Sequence, residues 1–180
     1  MTTIDHLFNE RSAKPHPDAL YADIWEHLPT LKLLASRVSH ITEFGVRTGN
    51  STVGFLAGLA IHGGEMVSYE INAQQFAAPE IEGVSWKFIQ SDTADLKMID
   101  RTDILFLDSC HTLDHITHEL RFASSVRHFI LMHDTSSTWI GGDQPRRARD
   151  SFLETDEGRK WRFISHWDNC NGLSLLERIK

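Results

Sequence analysis

The sequence predicts an α/β fold, an open and mostly parallel sheet with helices on both faces that ends in an antiparallel hairpin. Two observations lead there. From residue 40 onward, short apolar runs of strand length alternate with segments of helical periodicity. At the C-terminal end, two further apolar runs flank the turn-rich stretch Asp168-Asn169-Cys170-Asn171-Gly172. Open sheets of this kind bind ligands at the carboxyl ends of their strands, so candidate functional residues are sought at strand ends.

After a polar start containing Pro15 and Pro17, residues 19–38 set Leu20, Ile24, Leu28, Leu31, Leu34 and Ala35 at helical spacings, and Pro29 marks a break or the start of a second helix. One or two amphipathic helices are expected, which makes 1–38 an N-terminal helical segment and 39–180 the α/β core of one domain. His40–Phe44 reads as the first strand. It meets Gly45, and Asn50 or Ser51 can cap a helix that runs to residue 61 before His62-Gly63-Gly64 ends it. The same unit is expected again as 66–70 followed by 72–76, and 86–90 is a third strand with little room for a long helix after it. Residues 103–107 and 128–132 are the short apolar runs that a doubly covered parallel strand needs, and 111–124 between them has helical periodicity. Pro145 can open a further helix carrying Ala148, Phe152 and Leu153. Residues 161–167 and 173–179 form the closing hairpin.

Composition narrows the function classes. With 180 residues, 41% of them hydrophobic and 24% charged, the chain is expected to bury a core of ordinary size without disulfides or structural metal. Eighteen Lys and Arg against 25 Asp and Glu leave a net charge of −7, so no bulk positive field is available to hold nucleic acid or an anionic membrane. No apolar stretch approaches the roughly 20 residues of a membrane span, and the N-terminus has neither a basic start nor an apolar signal core, which by default places the protein in the cytoplasm. Cys110 and Cys170 read as free thiols.

The sharpest local signal is Glu43-Phe44-Gly45-Val46-Arg47-Thr48-Gly49-Asn50-Ser51, an acidic residue and two glycines at a strand-to-helix turn. Glycines there let the backbone approach a ligand, and the free N–H groups of the following helix favour anionic or polar groups. The next strand ends at Glu70, whose two oxygens can accept hydrogen bonds from both hydroxyls of a ribose, and the third strand end supplies Asp92, within reach of an adenine amine. The fourth and fifth strands end in Phe106-Leu107-Asp108-Ser109-Cys110-His111 and Leu131-Met132-His133-Asp134-Thr135.

From Glu43 almost to its C-terminus the chain resembles a class I S-adenosylmethionine-dependent methyltransferase. The Glu-x-Gly-x-x-x-Gly turn is that superfamily's first motif, and its spacing differs from the Gly-x-Gly-x-x-Gly of dinucleotide folds. The resemblance implies a three-layer Rossmann-like sandwich around a seven-stranded sheet. It also implies that Glu43, Gly45, Gly49 and Ser51 shape the pocket for the methionine part, that Glu70 binds ribose and that Asp92 lies near adenine. More narrowly, Asp108-x-x-His111 followed by His133-Asp134-Thr135 resembles the small-molecule O-methyltransferase branch that includes macrocin-type sugar methyltransferases and proteins known as cephalosporin hydroxylases. That likeness makes Asp108 and Asp134 divalent-metal ligands, puts His133 in the place of a third ligand and makes His111 the candidate base.

Methyl transfer is a displacement at a carbon already activated by a sulfonium, so such an enzyme chiefly aligns the acceptor and helps to remove its proton. A Mg2+ held by Asp108 and Asp134 can bind the acceptor oxygen while a neutral His111 takes the proton; an imidazole ligand from His133 would favour Mn2+, Fe2+ or Zn2+. Departures from the branch are Ser109-Cys110 in place of a Gly-acidic pair, Leu113 in place of an aromatic residue, and His133 where some metal-dependent members have a second acid. His115 and His118 share a helix face with His111, an arrangement that a half-buried helix explains without a metal. Arg146, Arg147 and Arg149 read as a solvated charge cluster, and Trp139 beside Gly141-Gly142 as a loop residue placed to stack on substrate. The expected function is methylation of a hydroxyl on a small-molecule acceptor, with specificity from the N-terminal helices, the loop 135–144 or a second copy of the chain. A noncatalytic S-adenosylmethionine-binding protein and a nicotinamide-dependent oxidoreductase are the alternatives.

Overall fold

The computed structural model describes residues 2–13, 23–136 and 143–179. Seven strands form one sheet: β1 (His40–Phe44), β2 (Gly64–Glu70), β3 (Val84–Gln90), β4 (Thr102–Leu107), β5 (Val126–His133), β6 (Trp161–Trp167) and β7 (Leu173–Arg178), in the order β3-β2-β1-β4-β5-β7-β6. Strands β1 to β5 are parallel, while β7 lies antiparallel between β5 and β6. The order reverses between β1 and β4, and a crevice at their carboxyl ends is the usual ligand position in such a sheet.

Alternating residues of the central strands feed two cores. Ile104 and Phe106 of β4 face one layer with Ile41 and Met66, against α1 (Thr3–Ala13), α2 (Leu28–Ala35) and α3 (Asn50–Leu59). Leu105 and Leu107 face the other layer with Phe44 and Ile130, against α4 (Leu113–Glu119) and α5 (Gln144–Leu153). All six residues of β4 are buried, as its uninterrupted apolar character requires. No helix among the described residues is long and apolar enough to cross a membrane.

Four differences from the sequence reading have physical causes. The polar start is a helix: Thr2 and Asp5 form a reciprocal cap, with the Asp5 N–H donating to Thr2 Oγ1 at 3.3 Å and the Thr2 N–H to Asp5 Oδ2 at 3.2 Å, while Ile4 and Phe8 anchor it. Residues 72–76 do not form a second crossover helix; Pro79 disfavours helical backbone at Ala78, and the chain crosses from β2 to β3 in irregular structure. The cap of α3 is Gly49, not Asn50 or Ser51, because the Ser51 hydroxyl is spent on Glu43. Arg149 is not solvated: its guanidinium donates to Ser174 Oγ at 2.8 Å and lies over the Phe163 ring. Pro29 and Pro145 sit in the first turns of α2 and α5, as their locked φ favours. Trp139, Gly141 and Gly142 lie outside the described residues, and both cysteines are free thiols.

Candidate active site

The turn after β1 is built around its two glycines. Gly45 has φ +92° and comes so close to β4 that a Cβ there would collide with the Asp108 carbonyl. Gly49, at φ +77°, meets the Phe76 ring in the same way. Glu43 lies behind this turn, fully buried, and its carboxylate accepts from Ser51 Oγ at 2.6 Å, Thr52 Oγ1 at 2.8 Å and Ser68 Oγ at 2.7 Å. Burial pushes the Glu43 carboxyl up to about 7 against these three bonds. Glu43 therefore braces β1, β2 and α3 from within, and of this turn it is Gly45, not Glu43 or Gly49, that lines the cavity.

A cavity of about 320 Å³ opens at the carboxyl ends of β1 to β4, with Gly45, Arg47, Glu70, Asp92, Asp108 and His115 in its wall. Its size suits a bound small molecule. Glu70 Oε2 accepts from the backbone N–H groups of Val46 and Arg47 at 3.0 and 3.1 Å, and Oε1 from the Asn72 N–H and side-chain amide at 3.0 and 2.9 Å. Burial raises its pKa, but these donors outweigh it and hold the carboxylate ionised below its usual range. Asp92 caps the next turn through the Ala94 N–H at 2.9 Å. Beyond it, His115 Nε2 and the hydroxyls of Thr93 and Ser109 converge on Glu119 Oε1, which explains the helix-face histidine as a wall of the cavity. His118 stacks edge-on against Phe122, and no metal-ligand cluster among the described residues includes it.

Asp108, His111, His133 and Asp134 meet at the ends of β4 and β5. His111 Nε2 is 2.9 Å from Asp134 Oδ2 and 3.4 Å from Asp108 Oδ1, while His133 Nδ1 is 3.2 Å from Asp108 Oδ1 and 3.5 Å from Asp134 Oδ2. On its other side His133 Nε2 faces the carbonyls of Cys170 at 2.8 Å and Asp23 at 3.1 Å. Carbonyls only accept, so Nε2 carries a proton; the carboxylates keep one on Nδ1 as well, and the fully buried ring is an imidazolium. For His111, burial lowers the pKa but the bonds to Asp108 and Asp134 raise it further, to about 10. This corrects the expectation of a neutral His111 near pH 7. Burial disfavours the charged forms of Asp108 and Asp134, yet the two imidazoles lower the pKa of both, that of Asp134 far below the usual carboxylate range. Asp134 itself sits at φ +57°, a strained conformation for a non-glycine residue and one met at functional sites.

The ligand atoms of Asp108, His111 and Asp134 lie within 4.8 Å of one another, and so do those of Asp23, His133 and Asp134. This donor set of carboxylates and imidazoles fits a divalent cation, and its nitrogen donors suit Mn2+, Fe2+ or Zn2+ better than Mg2+. Asp23, Arg47 and His27, whose ring lies edge-on to that of His133 at 5.9 Å, were not among the residues the sequence pointed to. Asp23 and His27 come from the N-terminal segment, where no motif marks them; Arg47 lies inside the glycine turn, and its φ of +46° is invisible in sequence.

No protein-family model matches the sequence, and no curated protein does. Solved structures do match. Cofactor-bound Rv0187 from MTB aligns over 99% of this chain and 90% of its own at 15% identity, with a TM-score of 0.63. The S-adenosylhomocysteine-bound methyltransferase PaMTH1 of Podospora anserina aligns over 100% and 89% at 12% identity and 0.64, and an O-methyltransferase of Bacillus cereus with S-adenosylhomocysteine over 100% and 92% at 14% and 0.61. The chain has the Rossmann-like methyltransferase fold. Gly45, Glu70, Asp92 and Asp108 line the cavity of about 320 Å³, and Asp108 also meets His111 and His133 in the cluster with Asp134, whereas Gly49 lies against Phe76 and is not in the cavity's lining. Ser51 stays at the start of α3, bonded to Glu43.

Proposed function

We propose that the protein is an S-adenosylmethionine-dependent methyltransferase acting on a hydroxyl of a small molecule, a sugar or other metabolite, with a divalent cation held by Asp108, Asp134 and a histidine. The observation that carries this reading is a single cavity lined by Gly45, Glu70, Asp92 and Asp108, residues just after or at the ends of β1, β2, β3 and β4. Those residues offer partners for the methionine, ribose and adenine parts of the cofactor, and the resemblance to solved methyltransferases with bound cofactor supports the reading.

Each residue then has a task. Glu70, held ionised and oriented by four donors, exchanges some of them for ribose hydroxyls, and Asp92 takes the adenine amine. Gly45 lets the cofactor lie against the β1–β4 seam. Asp108 and Asp134 present paired oxygens to the acceptor, oriented by His133, whose Nε2 is pinned by two carbonyls. His111 is the group placed to hold the acceptor's proton, and it must first be free of its own. The cation, when bound, supplies positive charge that loosens protons from its ligands and lowers the pKa of an acceptor hydroxyl.

Calorimetry tests the cofactor assignment. S-adenosylhomocysteine should bind and NADH should not, and Glu70→Ala should weaken binding by about 1.5 to 3 kcal/mol. Tight NADH binding, or no response to S-adenosylhomocysteine, overturns the reading. His111→Ala should cut turnover by about 100- to 10,000-fold and leave cofactor affinity nearly intact.

A further inference from the structure

A second recess, of about 360 Å³, opens on the α4 side of the sheet and shares no lining residue with the cavity at the strand ends. Its wall comes from three places: Lys97 from the segment before β4, His118 from the last turn of α4, and Arg121, Phe122, Ser124 and Ser125 from the 3₁₀ turn that leads into β5. An ammonium, a guanidinium and two hydroxyls can all donate here, and no carboxylate lines the recess. We infer that it binds a phosphate monoester of a small organic molecule, with Lys97 and Arg121 as counter-charges and the Ser124 and Ser125 hydroxyls as neutral donors.

The charge balance of the chain sets this recess apart. Acids outnumber bases 25 to 18, and Lys32, Arg127, Arg159, Lys160 and Arg162 each hold a carboxylate at 3.4 Å or closer. Lys97 and Arg121 have no ion pair or hydrogen bond with another side chain among the described residues. Two unpaired cations on the wall of one space repel each other, and an anion between them relieves the repulsion. A phosphate monoester carries about −1.5 to −2 charges near pH 7, which matches two cations, whereas a carboxylate matches one. The guanidinium fork fits two phosphate oxygens and the ammonium adds a point charge. His118 supplies an independent sign of a missing partner: its Nε2 is buried with no hydrogen-bond partner, and buried polar atoms are rarely left so. Phe122, buried and held edge-on by the rings of Phe44 and His118, gives the recess an apolar floor. That floor and a volume in the small-molecule range suit a phosphate with an organic body. A nucleic-acid backbone would need more cations than two.

An NMR titration of the full chain with phenyl phosphate tests this. The ester should bind with a Kd of about 1 mM or tighter, and the amide shifts should gather at residues 96–98 and 118–125. Inorganic phosphate, which leaves the apolar floor uncovered, should bind at least about fivefold more weakly, and benzoate more weakly still. Arg121→Gln should weaken phenyl phosphate about tenfold and Lys97→Gln about threefold or more. Both side chains are exposed, so both variants should keep the wild-type spectrum outside the recess. Lys87→Gln, which removes an exposed cation on β3, should change nothing. Phenyl phosphate that fails to bind at about 10 mM overturns the inference, as does a constant that neither recess variant alters. Benzoate or inorganic phosphate binding as tightly as the ester, or shifts gathered at the cavity around Gly45 and Glu70, overturns it as well.

Discussion

Glu43 and Asp134 are both buried carboxyl groups at strand ends of one sheet, and their surroundings drive them in opposite directions. Glu43 is met by three neutral hydroxyls, and burial carries its pKa up to about 7. Asp134 is met by two imidazoles, and its pKa falls far below the ordinary value. At Glu43 the three hydroxyls do not offset the loss of water around the charge, whereas at Asp134 the nearby imidazoles do. The two ends of the site accordingly do different work. The β1 end is a brace that holds the glycine turn in shape, and the β4–β5 end is a charged cluster whose protons exchange against other cations.

The largest effect is expected at the charged end. Asp134→Asn leaves two buried imidazoliums with one carboxylate between them and should cost about 3 to 5 kcal/mol in urea unfolding. A loss below about 1 kcal/mol would mean that the histidines are neutral and the contrast with Glu43 is misdrawn.

At the brace the effect depends on pH. The folded-state pKa of Glu43 is about 7, against an unfolded value near 4.5, so this carboxyl binds its proton more tightly in the folded chain. Its contribution is fully present below the unfolded pKa and is lost as pH rises through the folded one. Relative to Glu43→Gln, the wild type should therefore lose up to about 3 kcal/mol between pH 4.5 and 7.5 and little beyond. A difference that stays flat over this range would show that the three hydroxyls keep Glu43 ionised throughout.

Metal binding sharpens the comparison from the other side. His111 holds its proton to about pH 10 in the metal-free chain because Asp108 and Asp134 accept from it, and a cation on those carboxylates takes away that proton's partners, so Mn2+ binding should release protons and tighten as pH rises from 6 to 8. Asp108→Asn should weaken Mn2+ about tenfold or more, while Glu43→Gln should leave it unchanged. Proton release of zero, measured by calorimetry in buffers of different ionisation enthalpy, would show that His111 keeps its proton beside the metal and cannot act as the base.

The smallest effect concerns the outer support of the brace. Arg11 of α1 donates to the Thr48 carbonyl at 2.8 Å and to Asn50 Oδ1 at 2.9 Å, and its guanidinium lies over the Phe76 ring that packs on Gly49. Arg11→Gln should cost about 1 kcal/mol and raise amide exchange at Gly49 to Val53 without altering the β4–β5 cluster.

Much of this was legible in sequence for a simple reason. β1 with its Gly45–Gly49 turn, the all-apolar β4 and the hairpin around Gly172 are specified by neighbours in the chain, so local pattern finds them. Helix α1 escaped because only Ile4 and Phe8 of its apolar side are buried and its Thr2–Asp5 cap is a weak signal. At the site, strand-end logic found Glu70, Asp92, Asp108, His111, His133 and Asp134. It could not find their charge states, which arise from contacts between residues up to 110 positions apart, as between His133 and the Asp23 carbonyl. Nor could it show that Glu43 faces α3 rather than the cavity, since a strand residue points to either face until the register is known.

A crystal structure of the protein with S-adenosylhomocysteine and Mn2+ tests the central claim most directly. The account predicts the ribose at Glu70, the adenine beside Asp92, the sulfur towards Asp108, and an anomalous Mn2+ peak between Asp108 and Asp134. A nucleoside bound elsewhere, or a filled cofactor cavity whose sulfur points away from the β4–β5 cluster, would contradict it.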